Sequence, residues 1–248
     1  MNLNGKTVLI TGGTSGIGLD AIRQFSQLGA HVIACGRSEA KLEQARNLFP
    51  DSNILRCDVT EGRDVLQLKQ AVEAKGGIDI LYNNAGEQKN STATSRGKGD
   101  IFANAASEIH TNYLAIIRLN ELFIPLLEKK PQPMIIITSS ALAYVPAAAI
   151  PTYSASKAAL HSYTRSLRQQ LQKEGSNISV YELMPPFVDT PFNKSTNPNK
   201  LRPEDVNKIL LKTLGSKKFE IRPGAASLLY FLHRMFPERA LKILATMQ

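Results

Sequence analysis

A tyrosine and a lysine lie four residues apart, at Tyr153 and Lys157, and Ser140 lies thirteen residues before the tyrosine. Residues four apart on a helix share one face, so the Lys157 ammonium can lie close to the Tyr153 phenol. Tyrosine has an ordinary pKa of about 10, and a nearby positive charge lowers it by favouring the phenolate. Tyr153 would then suit acid or base work at a carbonyl or alcohol.

The apolar run at residues 134–137 predicts a buried strand that ends just before Ser140. The serine hydroxyl would emerge at the strand end, beside Tyr153. A Tyr-x-x-x-Lys spacing alone is nevertheless common in helices without any chemical role. The rest of the chain must therefore separate a catalytic pair from an ordinary helix face.

A glycine-rich turn follows the first predicted strand, at residues 7–10, and precedes an amphipathic helix at residues 19–28. It contains Gly12, Gly16 and Gly18, together with Thr14, Ser15 and Ile17. Glycines let the backbone turn tightly and approach a pyrophosphate, and the amides at the helix N-terminus supply donors. A plain loop is the alternative, but the position after the first strand favours a nucleotide site.

The second predicted strand, residues 31–35, is followed by Gly36 and Arg37. An enzyme that prefers NAD usually has a carboxylate here, which bonds the ribose hydroxyls and repels a 2′-phosphate. Gly36 takes that position, and the Arg37 guanidinium can pair with the phosphate. Arg37 could equally be a solvated loop cation. We predict NADP(H) as the cofactor, with NAD(H) as the alternative.

Together these features resemble the classical short-chain dehydrogenase/reductase family, from about Lys6 to Thr190. The resemblance rests on the T-G-x-x-x-G-x-G pattern at residues 11–18, on Asn-Asn-Ala-Gly at residues 83–86, and on the spacing of Ser140, Tyr153 and Lys157. It implies a single Rossmann-like domain over residues 1–248, a doubly wound α/β fold with about seven parallel strands, and a variable region at residues 191–248.

The resemblance also implies roles for individual residues. Asp58 and Val59 match an adenine-contacting pair, although Asp58 could equally cap the next helix. Further residues match positions beside the cofactor: Asn84, Ala85, Gly86, Tyr153, Lys157, Pro185, Val188 and Thr190. Asn112, on a helix predicted at residues 103–127, would support Lys157 through a water.

The implied reaction is reversible hydride transfer between the nicotinamide and a carbonyl or secondary alcohol. Ser140 would hold the carbonyl oxygen, Tyr153 would donate the proton, and Lys157 would lower the Tyr153 pKa and bind the nicotinamide ribose. A sensor that binds NADP without catalysis, or a scaffold at a membrane surface, is the alternative.

One motif departs from the family, which usually has Pro-Gly where this chain has Pro185-Pro186. The second proline removes a backbone donor and restricts φ, so the loop should run differently or be stiffer. The overall pattern resembles bacterial oxidoreductases associated with D-alanylation of teichoic acid, an association that says little about the substrate.

The formal net charge is +9, and eleven Lys and Arg face four Asp and Glu after residue 190. These cations are spread out without interleaved aromatic residues, so we predict no nucleic-acid partner. Polar loops are expected at residues 87–100 and 193–199, and a helix at residues 204–214. The basic, apolar segment at residues 225–247 could pack against the core or a second subunit, close the pocket, or contact an anionic membrane.

Two cysteines and four scattered histidines give no metal-ligand cluster, so we predict no metal. The N-terminal residues do not have the pattern of a signal peptide, and no apolar run approaches the roughly 20 residues that span a bilayer. We therefore expect a cytoplasmic protein, at most peripheral to a membrane, with a small carbonyl or alcohol substrate. The family resemblance implies a homodimer or homotetramer.

Overall fold

The computed structural model describes residues 2–89, 100–193 and 199–246 of the chain. The described residues form a seven-stranded parallel sheet in the order β3-β2-β1-β4-β5-β6-β7. Its strands are β1 (Thr7–Thr11), β2 (His31–Gly36), β3 (Asn53–Arg56), β4 (Ile80–Asn83), β5 (Met134–Thr138), β6 (Ser179–Leu183) and β7 (Glu220–Ile221). The helices are α1 (Gly16–Gln27), α2 (Glu39–Leu48), α3 (Gly62–Glu73), α4 (Ile101–Ile109), α5 (Ala115–Leu127), α6 (Pro151–Lys173), α7 (Pro203–Thr213), α8 (Ala225–Met235) and α9 (Pro237–Thr246).

The direction in which the chain adds strands to the parallel sheet reverses between β1 and β4, which confirms the doubly wound fold. The chain builds outward from β1 through β2 to β3, then returns to pair β4 with the other side of β1. At such a switch point, the connections after neighbouring strands leave on opposite faces and open a crevice at the carboxyl ends. The glycine turn after β1 lies in this crevice, and so does the Asn-Asn-Ala-Gly segment at residues 83–86, where β4 ends.

Apolar side chains cover both faces of the sheet. Val8 and Ile10 belong to the core on one face, and Leu9 belongs to the core on the other. Because both faces are buried, the strands read as continuous apolar runs rather than as alternating patterns. Cys35 and Cys57 are free thiols buried within this packing.

A third, smaller core joins the C-terminal helices to the segment that carries Tyr153. Leu142, Val145 and Tyr153 pack there with Ala240 and Leu244 of α9. Leu229 and Leu232 of α8 add partly buried contacts. The terminal segment therefore packs on its own chain beside the catalytic candidates.

The helix predicted at residues 103–127 is interrupted. It consists of α4, a π-helical turn at His110–Leu114, and α5. The helix predicted at residues 204–214 corresponds to α7. The predicted polar loops at residues 87–100 and 193–199 fall largely outside the described residues. Among those described, none of the helices combines the length and apolarity needed to cross a membrane.

Candidate active site

Ser140, Tyr153 and Lys157 come together at the carboxyl end of β5, as the sequence predicts. Tyr153 and Lys157 are buried on the first turns of α6, with the Lys157 Nζ 5.7 Å from the centre of the Tyr153 ring. Nζ donates a hydrogen bond to the Thr138 carbonyl at 3.0 Å. The Ser140 side chain lies close enough to Tyr153 to lower the pKa of its phenol. Ser140 Oγ also accepts from the Leu142 amide at 3.1 Å, which holds the hydroxyl in place.

Burial controls the proton affinities of this pair. It raises the pKa of Tyr153 above its ordinary value, while the nearby Ser140 side chain lowers it. It also lowers the pKa of Lys157 to about 8, and the charge of Glu182 acts in the opposite direction. The expected lowering of the Tyr153 pKa by Lys157 is not found: burial raises the pKa of Tyr153 and lowers that of Lys157, because desolvation disfavours the charged form of both groups.

Asn112 lies in the π-helical turn and is fully buried. Its Oδ1 accepts from the Glu87 amide at 2.7 Å, and its Nδ2 donates to the Glu87 carbonyl at 2.8 Å. Nδ2 also donates to Ser156 Oγ on α6 at 2.9 Å. The π-helical turn, a feature often found at functional sites, has no signal in the local sequence. It was therefore missed.

Gly86 lies beside both Asn112 and Lys157. A Cβ placed on Gly86 would be 3.4 Å from Asn112 Oδ1 and 3.7 Å from Lys157 Nζ. The absence of a side chain keeps the space between them open. Asn112 is thus near Lys157, as the family resemblance implies, and the water-mediated relay stays a prediction.

The glycine turn packs tightly against the end of β4. A Cβ on Gly18 would lie 2.2 Å from the Gly12 carbonyl oxygen, and one on Gly12 would lie 2.9 Å from the Ala85 Cα. Asn84 Nδ2 donates to the Thr11 and Gly12 carbonyls at 3.2 and 3.4 Å. The two motifs therefore form one packed unit at the switch point of the sheet.

The segment after β6 reaches the same unit from the other side. Gly16 has φ of 54°, and a Cβ there would lie 2.9 Å from Thr190 Cγ2. The Pro185 carbonyl accepts from the Ala141 amide at 3.0 Å, and Val188 bridges to Leu201. Despite Pro186, Val188 and Thr190 still face the cavity.

Arg37 is 60% exposed and lies between two carboxylates. Its distances are 3.3 Å to Glu87 Oε1 and 3.9 Å to Asp58 Oδ2. A Cβ on Gly36 would lie 2.6 Å from Thr14 Oγ1, so an acidic side chain at that position would displace Thr14. Sequence reasoning missed Glu87, because its contact with Arg37 joins residues fifty positions apart.

Asp58 holds the turn before α3. Its Oδ1 accepts from the Thr60 amide at 3.0 Å and from Thr60 Oγ1 at 2.7 Å. The residue at the N-cap of α3 is Glu61, so Asp58 does not cap the helix. Its neighbour Val59 is buried in the core.

A cavity of about 600 Å³ joins Ser140, Tyr153 and Lys157 to the glycine turn. Ser140 of the predicted catalytic set lines it, and so do most of the predicted cofactor residues: Gly12, Ser15, Gly16, Ile17, Asn84, Ala85, Gly86, Tyr153, Lys157, Pro185, Val188 and Thr190. Thr14, Gly18, Arg37, Asp58, Val59 and Asn112 do not line it. The far wall consists of side chains from α8 and α9, which the sequence could not assign to one role.

A charged cluster lies behind Ser139. One nitrogen of His161 and one carboxylate oxygen each from Glu182 and Glu220 lie within 4.8 Å of one another, close enough to be considered as ligands of a metal ion. Glu182 is fully buried. It accepts a hydrogen bond from Ser139 Oγ, and its Oε2 lies 2.8 Å from His161 Nδ1. Glu220 bonds Tyr144 and Arg222. These carboxylates are therefore already engaged by side chains of the protein.

Comparison with known proteins gives a family match and similar relatives. The family model for short chain dehydrogenases matches residues 6–201. An uncharacterized oxidoreductase, DltE of Bacillus subtilis (strain 168), is 39% identical over 197 residues, which are 79% of this chain and 77% of that protein.

Two solved structures share the fold. A short chain dehydrogenase/reductase from Burkholderia phymatum, in complex with NAD, has a TM-score of 0.86 and 22% identity over 96% of both chains. A short chain dehydrogenase from Burkholderia cenocepacia J2315, in complex with NADP, has a TM-score of 0.85 and 24% identity over 98% of this chain and 99% of that one. Since the family model spans most of the sequence, this chain belongs to the short-chain dehydrogenase family.

Proposed function

We propose that this protein is an oxidoreductase that uses a nicotinamide dinucleotide and acts on a carbonyl compound or a secondary alcohol. The observation that carries the proposal is the meeting of Ser140, Tyr153 and Lys157 in the cavity that the glycine turn also lines. Burying polar groups lowers the stability of the fold unless they are hydrogen-bonded. Their collection in one cavity is typical of a catalytic centre.

The residues present suit such a cofactor. The glycines of the turn allow its backbone to pack closely against Ala85 and Thr190, and the turn leads directly into the N-terminus of α1. A helix N-terminus with open amides is suited to a pyrophosphate. Gly12, Ser15 and Gly16 would hold that part, and Val188 and Thr190 would lie toward the nicotinamide. When bound, the cofactor supplies or accepts the hydride.

The chain's own groups handle the proton. Ser140 would hold the carbonyl oxygen through its hydroxyl. Tyr153, whose pKa is raised by burial, keeps its proton near neutral pH and would donate it to that oxygen. Lys157 would add positive charge beside the phenol as negative charge develops on it. The low exposure of Tyr153 and Lys157 limits the access of water.

The preference for NADP(H) is part of the proposal. No carboxylate occupies position 36, and the guanidinium of Arg37 is solvent-accessible at the end of β2. Glu87 and Asp58 partly balance that charge, so Arg37 would have to exchange a carboxylate for the phosphate. NADP(H) is therefore proposed over NAD(H) on the combined effect of Gly36 and Arg37.

The test begins with fluorescence titration of the purified protein with NADPH and NADH, followed by turnover of straight-chain aldehydes and methyl ketones. Tyr153→Phe should lower turnover by about 100-fold or more, while NADPH binding stays within about two-fold. Tyr163→Phe is the matched control, because it makes the same change on α6 at a hydroxyl that accepts from Asn120 at 3.1 Å. It should keep full turnover.

Undiminished turnover by Tyr153→Phe would overturn the assigned mechanism. Tight cofactor binding without turnover of any carbonyl or alcohol would favour the non-catalytic sensor instead. Failure to bind either nucleotide would remove the cofactor site from the proposal.

A further inference from the structure

The part of the cavity beyond Ser140 and Tyr153 is apolar. Its wall includes Leu142, Ile150, Phe187, Leu229, Leu232 and Leu244. These residues come from the segment after β5, the loop after β6, and helices α8 and α9. Three separate parts of the chain therefore present hydrocarbon surface to the same space.

Charge is nearly absent from this wall. Among the described residues that line the cavity, Lys157 is the only one with a charged side chain. Its Nζ is already bonded to the Thr138 carbonyl at 3.0 Å and lies beneath the Tyr153 ring. A carboxylate or phosphate placed against α8 and α9 would lose its hydration without gaining a partner from the described wall. The wall therefore disfavours anionic substituents at this end.

The apolar wall continues to the protein surface. Leu228 on α8 lines the cavity and is 61% exposed, and Ile243 on α9 lines it and is 41% exposed. Both residues therefore lie at its rim. A group that fills the apolar part of the cavity can extend past them toward solvent without meeting a polar barrier among these residues.

We propose that the substrate carries a long, uncharged alkyl chain that lies between the segment after β5 and helices α8 and α9, with its carbonyl or hydroxyl carbon at Tyr153. This proposal rests on the proposed function, because it names the substrate class for the same site. The cavity volume of about 600 Å³ lies in the range of small-molecule sites and is shared with the reactive end of the cofactor. In this proposal, the affinity for alkyl chains of different length depends on apolar contact with the wall.

The first test uses straight-chain aldehydes from propanal to decanal with NADPH. Each methylene buried against the wall should raise kcat/KM about three- to four-fold until the chain passes the rim. The matching straight-chain alcohols should bind the NADPH-loaded protein with the same dependence of Kd on length, measured by calorimetry. Values of kcat/KM and Kd that are flat or that worsen with length would overturn the proposal.

A pair of variants locates the chain. Leu228→Asp places a charge at the rim and should lower the ratio of decanal to propanal kcat/KM by about ten-fold or more, because the charge must be desolvated beside the chain. Met235→Asp is the matched control, since Met235 lies on the same helix, is 56% exposed, and does not line the cavity. It should leave the ratio unchanged. An equal effect of both variants, or none from Leu228→Asp, would contradict the assignment.

The two measurements separate this proposal from the function it rests on. Chain-dependent binding of alcohols without any turnover would support the alkyl site and count against the enzymatic function. Turnover that ignores chain length, together with length-independent binding, would support the function and overturn the alkyl site.

Discussion

Lys157 illustrates at the scale of one residue how a buried position in the candidate site can reduce stability. Burial lowers its pKa from the ordinary 10.5 to about 8, so the folded protein binds the proton less well than the unfolded chain does. Between these values the unfolded state holds more protons, and stability should rise with pH across that window. Below about pH 8 the fold carries the full cost of a buried charge.

Lys157→Met should therefore stabilise the protein at pH 7 while it abolishes turnover. We expect a gain of about 1 to 2 kcal/mol in the free energy of unfolding, after about 1 kcal/mol is lost at the Thr138 carbonyl. The gain should shrink toward pH 10, as measured by urea denaturation at both pH values. Lys173→Met, at the exposed end of the same helix, should change stability little. A variant that is less stable than the parent at pH 7 would contradict this account.

Arg37 supports a second prediction at the residue scale. Arg37→Ala should weaken NADPH binding by roughly ten- to hundred-fold and leave NADH nearly unchanged, because only NADPH carries the 2′-phosphate. Glu87→Gln should tighten NADPH, since it removes the nearer carboxylate that competes for the guanidinium. Both effects are read by fluorescence titration.

Arg46→Ala serves as the control for Arg37→Ala, because Arg46 pairs with Glu39 on α2 at 2.8 Å. It should alter neither affinity. Equal losses of NADPH and NADH in Arg37→Ala would remove Arg37 from the phosphate site.

At the scale of elements, the glycine turn and the end of β4 act as one unit. Gly18→Ala would place a Cβ 2.2 Å from the Gly12 carbonyl, which forces backbone to move. We expect a loss of about 1 to 3 kcal/mol in the free energy of unfolding and weaker cofactor binding. Denaturation and nucleotide titration measure the two effects.

Gly62→Ala provides the matched comparison. Gly62 begins α3, and a Cβ there would meet nothing closer than 4.0 Å. Stability should stay level or rise by about 0.5 kcal/mol, because alanine loses less entropy on folding, and nucleotide affinity should not change. Similar damage from both substitutions would show that the close packing of Gly18 is not the cause.

At the scale of the whole molecule, helices α8 and α9 present an exposed apolar and basic surface. Leu228, Phe231, Met235, Phe236 and Ile243 are exposed on α8 and α9, beside Arg234, Arg239 and Lys242. We expect sedimentation at micromolar concentration to show a homodimer or homotetramer. Phe231→Asp should lower the mass if these helices form the interface.

Vesicles decide the remaining alternative for the C-terminal segment. Co-sedimentation with anionic vesicles that is lost in Arg234→Glu and in high salt would assign the surface to a membrane. Sedimentation as a monomer that binds no vesicle would exclude both uses.

The sequence by itself determined those features of the fold and the site that depend on one element or on the turn next to it. Strands buried on both faces produce continuous apolar runs, and a turn that packs on backbone requires glycine. The spacing of Tyr153 and Lys157 implies their proximity, because one helix carries both. The resemblance to the family then predicts that Ser140 and Asn112 belong to the same site.

Only the tertiary structure decided the features that depend on distant segments. The balance of charge around Arg37 depends on Glu87, and the π-helical turn positions Asn112 against the backbone of Glu87 and a serine of α6. The cavity acquires its apolar wall only when α8 and α9 fold back beside Tyr153. Burial in the folded protein also shifts the pKa values of Tyr153 and Lys157, because desolvation depends on which atoms surround a group and not on its sequence neighbours.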